Sequence, residues 1–382
     1  MKREISQILK EFVEIPSVNP GDCKLEDNKY FGEAAFVEHV YEMCCANGYY
    51  CEKQEVLPGR SNLLIHMSEC LGEKPIVLFQ EMKDAFSPKI REGKLWGRGS
   101  CDAKGQLCAM FLAMEQLKEQ KEKLPFDLCL TLCCDEEFQH RGVDEFLNWK
   151  YRDKVVFAVV GEPTELRLAC ACKGSIRFCI ETTGIAAHTS MPEKGENAIY
   201  LMAKIIQIFQ NKIEKQTVCR CDSACKNATV AVSLIQGGTI VNSVPDYCII
   251  HIDRRMIPGE TWEVVYQEMQ DMVCKELSDN EKMRVIFQKP YLTDPSYGTK
   301  LEEDKKQIVK EVLKKHGLHE QIIGLPYGCD ASKLAKWGIP VFVFGPGSIE
   351  QAHTKEEYIE INQIGKASEV LKDLVLKFTE KE

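Results

Sequence analysis

The stretch Gly97-Arg98-Gly99-Ser100-Cys101-Asp102-Ala103-Lys104-Gly105 is a glycine-rich bend that carries one aspartate from a strand into a helix. Its glycines let the backbone turn sharply. The apolar residues that follow recur at helical spacing: Leu107, Met110, Phe111, Met114 and Leu117. Asp102 is therefore expected where a strand ends and a helix begins, the usual place for a ligand or metal site in an open α/β sheet. Taken alone, it also reads as a plain helix N-cap. Acidic residues and a histidine further along turn the reading toward chemistry.

Outward from the bend, short apolar runs alternate with helical patterns. Upstream lie an amphipathic helix (Ile5, Ile8, Leu9, Phe12, Val13) ending before Pro16, a helix around 31–47, and strands around 50–56 and 62–66. Pro75–Gln80 is a continuous apolar run, as in a buried strand. Downstream come a helix over 102–120, a strand over 127–134 ending in Asp135-Glu136-Glu137, a helix near 144–149, and a buried strand over 155–160 ending in Gly161-Glu162-Pro163-Thr164. Strand and helix in alternation predict a largely parallel sheet with helices on its faces. Near Lys173 the pattern changes: Ile176, Phe178 and Ile180 alternate with Arg177, Cys179 and Glu181, as in a half-exposed antiparallel strand. Helices over 196–209 and 262–277 and strands over 228–234, 248–254 and 283–287 complete a separate α+β unit. The α/β pattern resumes with a helix over 305–316, a strand over 339–344 and a helix over 363–378. The expected architecture is α/β: a discontinuous, mostly parallel-sheet domain over 1–173 and 290–382, with an α+β domain over 174–289 inserted in it.

Composition narrows the function. The 382 residues carry a net charge of −9, which argues against nucleic acid as a partner. No apolar run reaches the length of a membrane span. The start, Met1-Lys2-Arg3-Glu4-Ile5-Ser6, has neither the apolar core nor the cleavage site of a signal peptide, so a cytoplasmic location is expected. Nineteen cysteines, several of them neighbours (Cys44-Cys45, Cys133-Cys134), suit buried reduced thiols better than disulfides. The triplet Cys219, Cys221 and Cys225 lacks the second cysteine pair or histidine of a metal knuckle.

Polar residues collect at the ends of the predicted parallel strands: Asp102, Glu136-Glu137, Glu162, and His353 after Gly345-Pro346-Gly347. Carboxylates with one histidine form a ligand set for zinc, manganese or cobalt. Adjacent glutamates diverge, so one can bind metal while the other holds a water.

These stretches, in this order, resemble the M20 family of metallopeptidases and deacylases, which contains acetylornithine deacetylase, succinyl-diaminopimelate desuccinylase, aminoacylase and carboxypeptidase G2-like enzymes. The resemblance runs through Gly93–Gly105, Cys134-Asp135-Glu136-Glu137, Gly161-Glu162-Pro163-Thr164, Ala186–Pro192 with Gly195–Ala198, Asn242–Asp246, Asp253–Gly259, Phe344–Gly347 and Ala352-His353-Thr354. It implies two metal ions (Zn2+, or Co2+ or Mn2+) bridged by Asp102, with Glu137 and His353 on one and Glu162 on the other. Glu136 would be the general base. The inserted domain would be a lid and dimerisation domain, making the protein a homodimer in which His188 stabilises the oxyanion of the partner's reaction. Asn242 and Arg255 match substrate-holding positions, the guanidinium suiting a carboxylate.

The chain departs from the family at one point. The H-x-D motif expected after the strand Pro75–Gln80 is absent, and the chain runs into Glu81-Met82-Lys83-Asp84-Ala85-Phe86-Ser87-Pro88. Without a gap, Met82 replaces the histidine and Asp84 is the motif's aspartate. With a gap, which keeps the family's spacing from Asp84 to Asp102, the whole loop is missing between Gln80 and Met82. One metal then keeps Asp102, Glu137 and His353 and the other only Asp102 and Glu162. The reading is a metallohydrolase of N-acyl amino acids, of the acetylornithine or succinyl-diaminopimelate deacylase type, with one weakened metal position. The alternatives are a dipeptidase or carboxypeptidase of the same type, and a non-catalytic ligand-binding protein of that fold. Nucleotide binding at the bend is disfavoured, because it lacks the P-loop and dinucleotide fingerprints.

Overall fold

The computed structural model describes residues 4–21, 23–80, 86–352 and 354–379. The chain divides into two compact units, one made of Met1–Cys170, Thr299–Ile323 and Cys329–Glu382, the other of Ala171–Gly298 and Gly324–Gly328.

The first unit is built as its apolar periodicity dictates. Helix α1 (Ile5–Glu14) buries Ile8, Leu9, Phe12 and Val13 along one stripe, and helix α2 (Ala34–Ala46) buries Phe36, Val37 and Val40. Strands β1 (Tyr50–Leu57) and β2 (Arg60–His66) form an antiparallel hairpin. Strand β3 (Ile76–Gln80) is buried along its whole length, as a central parallel strand must be. Two short antiparallel strands, β4 (Phe86–Arg91) and β5 (Lys94–Arg98), lead into the glycine bend. Helix α3 (Gly105–Lys118), strand β6 (Asp127–Leu132), helix α4 (Arg141–Phe146) and strand β7 (Val155–Val160) follow. The main sheet runs β1-β2-β6-β3-β7, then the strands Val341–Val343 and Ala169–Cys172. β6, β3, β7 and Val341–Val343 are mutually parallel, so their C-terminal ends share one edge. The closing helix Ile361–Thr379 packs against α3, and the core includes Phe12, Phe36, Phe79, Met110, Met114, Phe157, Phe342 and Leu371.

In the second unit the strand Gly174–Thr183 is flanked by Tyr247–Met256 on one side and by Val285–Phe287 and Leu292–Asp294 on the other, with Thr229–Gly237 beyond Tyr247–Met256, all antiparallel. Alternate residues of Tyr247–Met256 (Cys248, Ile250, Ile252, Arg254, Met256) are buried, the period-two pattern of a one-sided sheet. The helices Ala198–Ile208 and Trp262–Glu276 contribute Leu201, Met202, Ile205, Val265, Met269 and Val273 to its core. The edge strand Thr229–Gly237 leaves Leu234 and Ile235 exposed. None of the nineteen cysteines is in a disulfide, and no helix among the described residues is long and apolar enough to cross a membrane.

One expectation is corrected here. The helix after the bend begins at Gly105, and Asp102 is not its N-cap. Asp102 (φ −129°, ψ 90°) and Ala103 (φ −143°, ψ 37°) have non-helical backbones, and Lys104 flanks the helix. Gly105 is required at the start: a Cβ there would lie 2.7 Å from the Ser100 carbonyl oxygen and 2.3 Å from Ile359 Cδ1.

Candidate functional site

Asp102 is buried at 4% exposure, and its turn is fastened from several sides. Upstream, Gly97 (φ 156°) and Gly99 (φ 76°) supply backbone conformations that side-chain-bearing residues avoid. Downstream, the buried Lys104 donates through Nζ to the carbonyls of Phe12 (3.0 Å) and Ile15 (2.8 Å). These lie at the C-terminal end of α1, where a cation is favoured. The same ammonium stands 3.9 Å from the centroid of Phe36.

Glu357 closes the turn. The strand Tyr358–Glu360 pairs with β5, and the Glu357 carbonyl accepts from Gly97 N–H at 2.9 Å. The Glu357 side chain, 2% exposed, accepts through Oε1 from the backbone N–H of Cys101 (2.9 Å) and of Asp102 (3.0 Å). Burial pushes the Glu357 carboxyl above its ordinary range, and hydrogen bonds from the Asp102, Gly99 and Cys101 N–H groups pull it part of the way back.

The other strand-end loops brace each other in the same way. Thr164 Oγ1 donates to the Gly345 carbonyl (3.2 Å) and accepts from Gly345 N–H (3.0 Å), tying the loop after β7 to the one after Val341–Val343. Gln106 Nε2 donates to the Pro346 carbonyl at 2.9 Å. Cys101 Sγ donates to the Ser348 carbonyl at 3.3 Å. Gly345 is a necessity of this packing, since a Cβ would sit 2.5 Å from the Glu162 carbonyl oxygen.

These fastenings gather negative charge. The Cys101 thiol is pushed up first by burial, then by the carboxylates of Asp102 and Glu357, and more weakly by that of Glu162. Buried carboxylates need a compensating partner, and oxygen donors of this kind suit a divalent cation. Asp102 and Glu162 thus fit a metal site, and the half-buried Glu137 follows β6 on the same sheet edge. His353 lies outside the described residues, as do Met82 and Asp84. Where the H-x-D histidine was expected, the described chain of β3 ends in Gln80, a buried amide.

Glu136 has a different setting from Glu137. Its Oε1 stands 4.0 Å from His140 Nδ1, and that nitrogen lies 2.8 Å from Asp330 Oδ1. Gln80 Nε2 donates to the other oxygen of Asp330 at 2.8 Å. Asp330 and His140 were not singled out in the sequence. They lie 190 positions apart, and the one sequence signal is that His140 follows Glu136 by a single helical period. Asp135, just before Glu136, is held by Arg60 (3.2 Å) and Arg141, and its side chain also accepts from Asn19 at 3.1 Å.

The remaining predicted residues belong to the second unit. His188 and Asn242 are exposed and come from adjoining segments: His188 bridges Ser243, and the Asn242 carbonyl accepts from Thr189 N–H at 3.1 Å. Ser190 N–H donates to His188 Nδ1 at 3.2 Å, so the proton of the neutral ring sits on Nε2. Arg255 is paired with Asp253 (Nε to Oδ1, 2.9 Å), a carboxylate that also takes Arg177 at 2.8 Å. Cys219, Cys221 and Cys225 are not brought together as a ligand group.

Peptidase family M20/M25/M40 matches residues 77–377 of the chain. An acetylornithine deacetylase of Proteus mirabilis is 28% identical over 389 residues, covering 97% of this chain and 96% of that protein. A tripeptidase from Staphylococcus aureus superposes with a TM-score of 0.79 at 20% identity, covering 98% of this chain and 97% of the other. A dinuclear metal-binding peptidase of the M20 family from Bacillus subtilis superposes with a TM-score of 0.66 at 15% identity, covering 97% and 96%. At these identities the two structures establish the likeness of fold.

Proposed function

The chain belongs to peptidase family M20/M25/M40, hydrolases of amide or peptide bonds, and from that premise we propose that it removes the acyl group from small N-acyl amino acids. The observation that carries the reading is the concentration of buried carboxylates at one edge of the parallel sheet, with Asp102 in a turn held by Glu357. The proposed ligands are Asp102, Glu137, Glu162 and His353. The position of the absent H-x-D loop is the weaker one, so one ion is held more firmly than the other. A bound divalent ion supplies Lewis-acid polarisation of the carbonyl and a more acidic water.

The chain's own groups then have defined tasks. Glu136 takes a proton from the attacking water and delivers it to the leaving amine, the work of a positioned carboxylate. Its 8% exposure keeps bulk water from competing for that proton. His188 presents Nε2–H to the developing oxyanion, its Nδ1 accepting from Ser190 N–H. Asn242 and Arg255 bind the substrate, the guanidinium facing its carboxylate once it is released from Asp253. The exposed edge strand with Leu234 and Ile235 supports the second unit as the surface of a homodimer, and the expected compartment is the cytoplasm.

The test is turnover by purified protein supplied with Zn2+, Co2+ or Mn2+. N-acetylornithine, N-succinyl-diaminopimelate and other N-acyl amino acids form one arm, and di- and tripeptides the other. Metal-dependent release of the free amino acid, abolished by Asp102→Asn, is the expected result. Cleavage confined to peptides replaces the substrate class, and no turnover in either arm overturns the proposal.

A further inference from the structure

Three cysteines outside the candidate site lie where helix α2 ends and strand β1 begins: Cys44 and Cys45 in the last turn of α2, and Cys51 near the start of β1. The chain reverses between them within a few residues. Gly48 (φ 74°) donates its N–H to the Cys45 carbonyl at 2.9 Å, and Tyr49 N–H donates to the Cys44 carbonyl at 3.1 Å. Glu38, Tyr41 and Cys45 share one face of α2 by their i, i+3, i+7 spacing. Lys53 of β1 meets that face, its Nζ bonded to Glu38 and 4.2 Å from the centroid of the Tyr41 ring. From Tyr41 to Cys45 the helix advances about 6 Å, and from Lys53 back to Cys51 the strand covers about 6.6 Å. Because the chain doubles back, Cys45 comes opposite Cys51.

The thiols meet accordingly. The Cys51 side chain is hydrogen-bonded to those of both Cys44 and Cys45. Cys44 is wholly buried in the core, Cys45 is exposed, and Cys51 is half-buried on the edge strand of the main sheet. Their chemistry differs as a result. The hydrogen bond from Cys44, helped by that from Cys45, outweighs burial and brings the Cys51 thiol below its ordinary range. The same bond and then burial push Cys44 far up, while burial and the neighbouring Cys51 raise Cys45. A thiolate therefore forms first at Cys51, and the thiolate is the nucleophile. Cys45 stands beside it facing solvent, as a resolving thiol does.

We propose that Cys51 and Cys45 form a reversible disulfide by exchange with small-molecule disulfides, which makes the junction of α2 and β1 a redox modification site. The Cys51 thiolate attacks one sulfur of the reagent, whose S–S bond breaks and releases a first thiolate. Cys45 gives its proton to that thiolate, and its sulfur attacks the Cys51 sulfur of the mixed disulfide, releasing a second. The second thiolate takes from water the proton that Cys51 had lost. Two protein thiols are oxidised and one reagent disulfide is reduced to two thiols. Cys44 supports Cys51 as a hydrogen-bond donor and stays a thiol. The site does not depend on the proposed hydrolysis, and its test is thiol chemistry, not turnover.

The experiment exposes the reduced full chain to oxidised glutathione, traps the remaining thiols with N-ethylmaleimide at intervals, and maps every cysteine by peptide mass spectrometry. The Cys45–Cys51 disulfide is expected before any modification of the exposed Cys23, Cys70, Cys219 and Cys221, and dithiothreitol should restore both thiols. Cys45→Ser should stop at a glutathione adduct on Cys51. Cys51→Ser should slow modification of Cys45 by about tenfold or more, and Cys44→Ala should still form the bond. Circular dichroism checks that each variant is folded, and the order of reaction in the unaltered chain is decisive by itself. If Cys51 reacts no faster than the four exposed cysteines, or the first disulfide joins any pair other than Cys45 and Cys51, the proposal is overturned.

Discussion

Replacing Glu357 by alanine isolates what holds the Asp102 turn. The carboxylate accepts two backbone N–H groups through one oxygen, at 2.9 and 3.0 Å, from 2% exposure. Truncation leaves both donors buried without this acceptor, at about 1–3 kcal/mol each. Against this, the variant no longer buries a carboxylate whose pKa is raised by burial. The net loss is about 2–4 kcal/mol. Glu357→Gln keeps an oxygen in the same place and gives up the costly charge, so it should stay within about 1 kcal/mol of wild type. Urea unfolding read by tryptophan fluorescence suits the measurement, because Trp96 lies tilted against Tyr358 (centroids 4.6 Å apart, ring planes at 40°) in the strand pair that Glu357 leads into. An alanine variant that loses less than about 1 kcal/mol, or a glutamine variant as damaged as the alanine one, would show that the turn is not held by these two hydrogen bonds.

Three further outcomes are expected. Gly345→Ala forces a methyl to within 2.5 Å of the Glu162 carbonyl oxygen and 2.6 Å of Gln106 Cγ, and should lower stability by about 1–3 kcal/mol in a thermal melt. Arg60→Met leaves Glu33 and Asp135 as buried carboxylates without their shared guanidinium (Nε to Glu33 Oε2, 2.6 Å), and should cost about 3–5 kcal/mol in urea. Burial works to raise the carboxyl of Asp373, but hydrogen bonds from Lys315 and His316 outweigh it and hold it below the usual carboxylate range. A depressed folded pKa adds stability above the unfolded pKa of about 3.9, and that stability is lost as pH falls through the folded value. The gap in melting temperature between wild type and Asp373→Asn should therefore be steady at pH 6, begin to shrink only near about pH 4, and close as pH falls further through the folded value.

The parts of this protein legible in the sequence are those written in local periodicity. Ile76–Gln80 reads as a buried parallel strand because every residue is apolar up to Gln80, and it is one. Ile176, Phe178 and Ile180 announce a one-sided sheet, and all three are buried in the second unit's core. Asp102 was legible through its glycines, but its conformation was not: the residue that sets it, Glu357, lies 255 positions away. In sequence Glu357 is the second glutamate of a polar run, Lys355-Glu356-Glu357, which looks like surface. The Glu136, His140 and Asp330 group was hidden for the same reason. Its members come from the loop after β6 and from the residue before the helix Ala331–Leu334, and no local pattern links them. Gln80 looked like the point where an apolar strand stops, and only its bond to Asp330 gives it a role.

The acidic run Cys134-Asp135-Glu136-Glu137 shows why neighbouring carboxylates take different work. Burial alone would raise the Asp135 carboxyl, yet the Arg141 hydrogen bonds, the charge of Arg60 and the Asn19 amide bring it below its ordinary range. Two guanidinium groups thus hold Asp135 charged and satisfied, and a carboxylate so engaged has little left for a proton or a metal. What it gains is position. Its backbone is in the left-handed region (φ 64°), its N–H donates to Glu33 Oε1 at 3.1 Å, and its carbonyl accepts from His140 N–H. The chain is thereby turned so that Glu136 stands beside His140, its Oε1 4.0 Å from the ring's Nδ1. The course of the run is set at Asp135, the member most fully engaged by guanidinium groups.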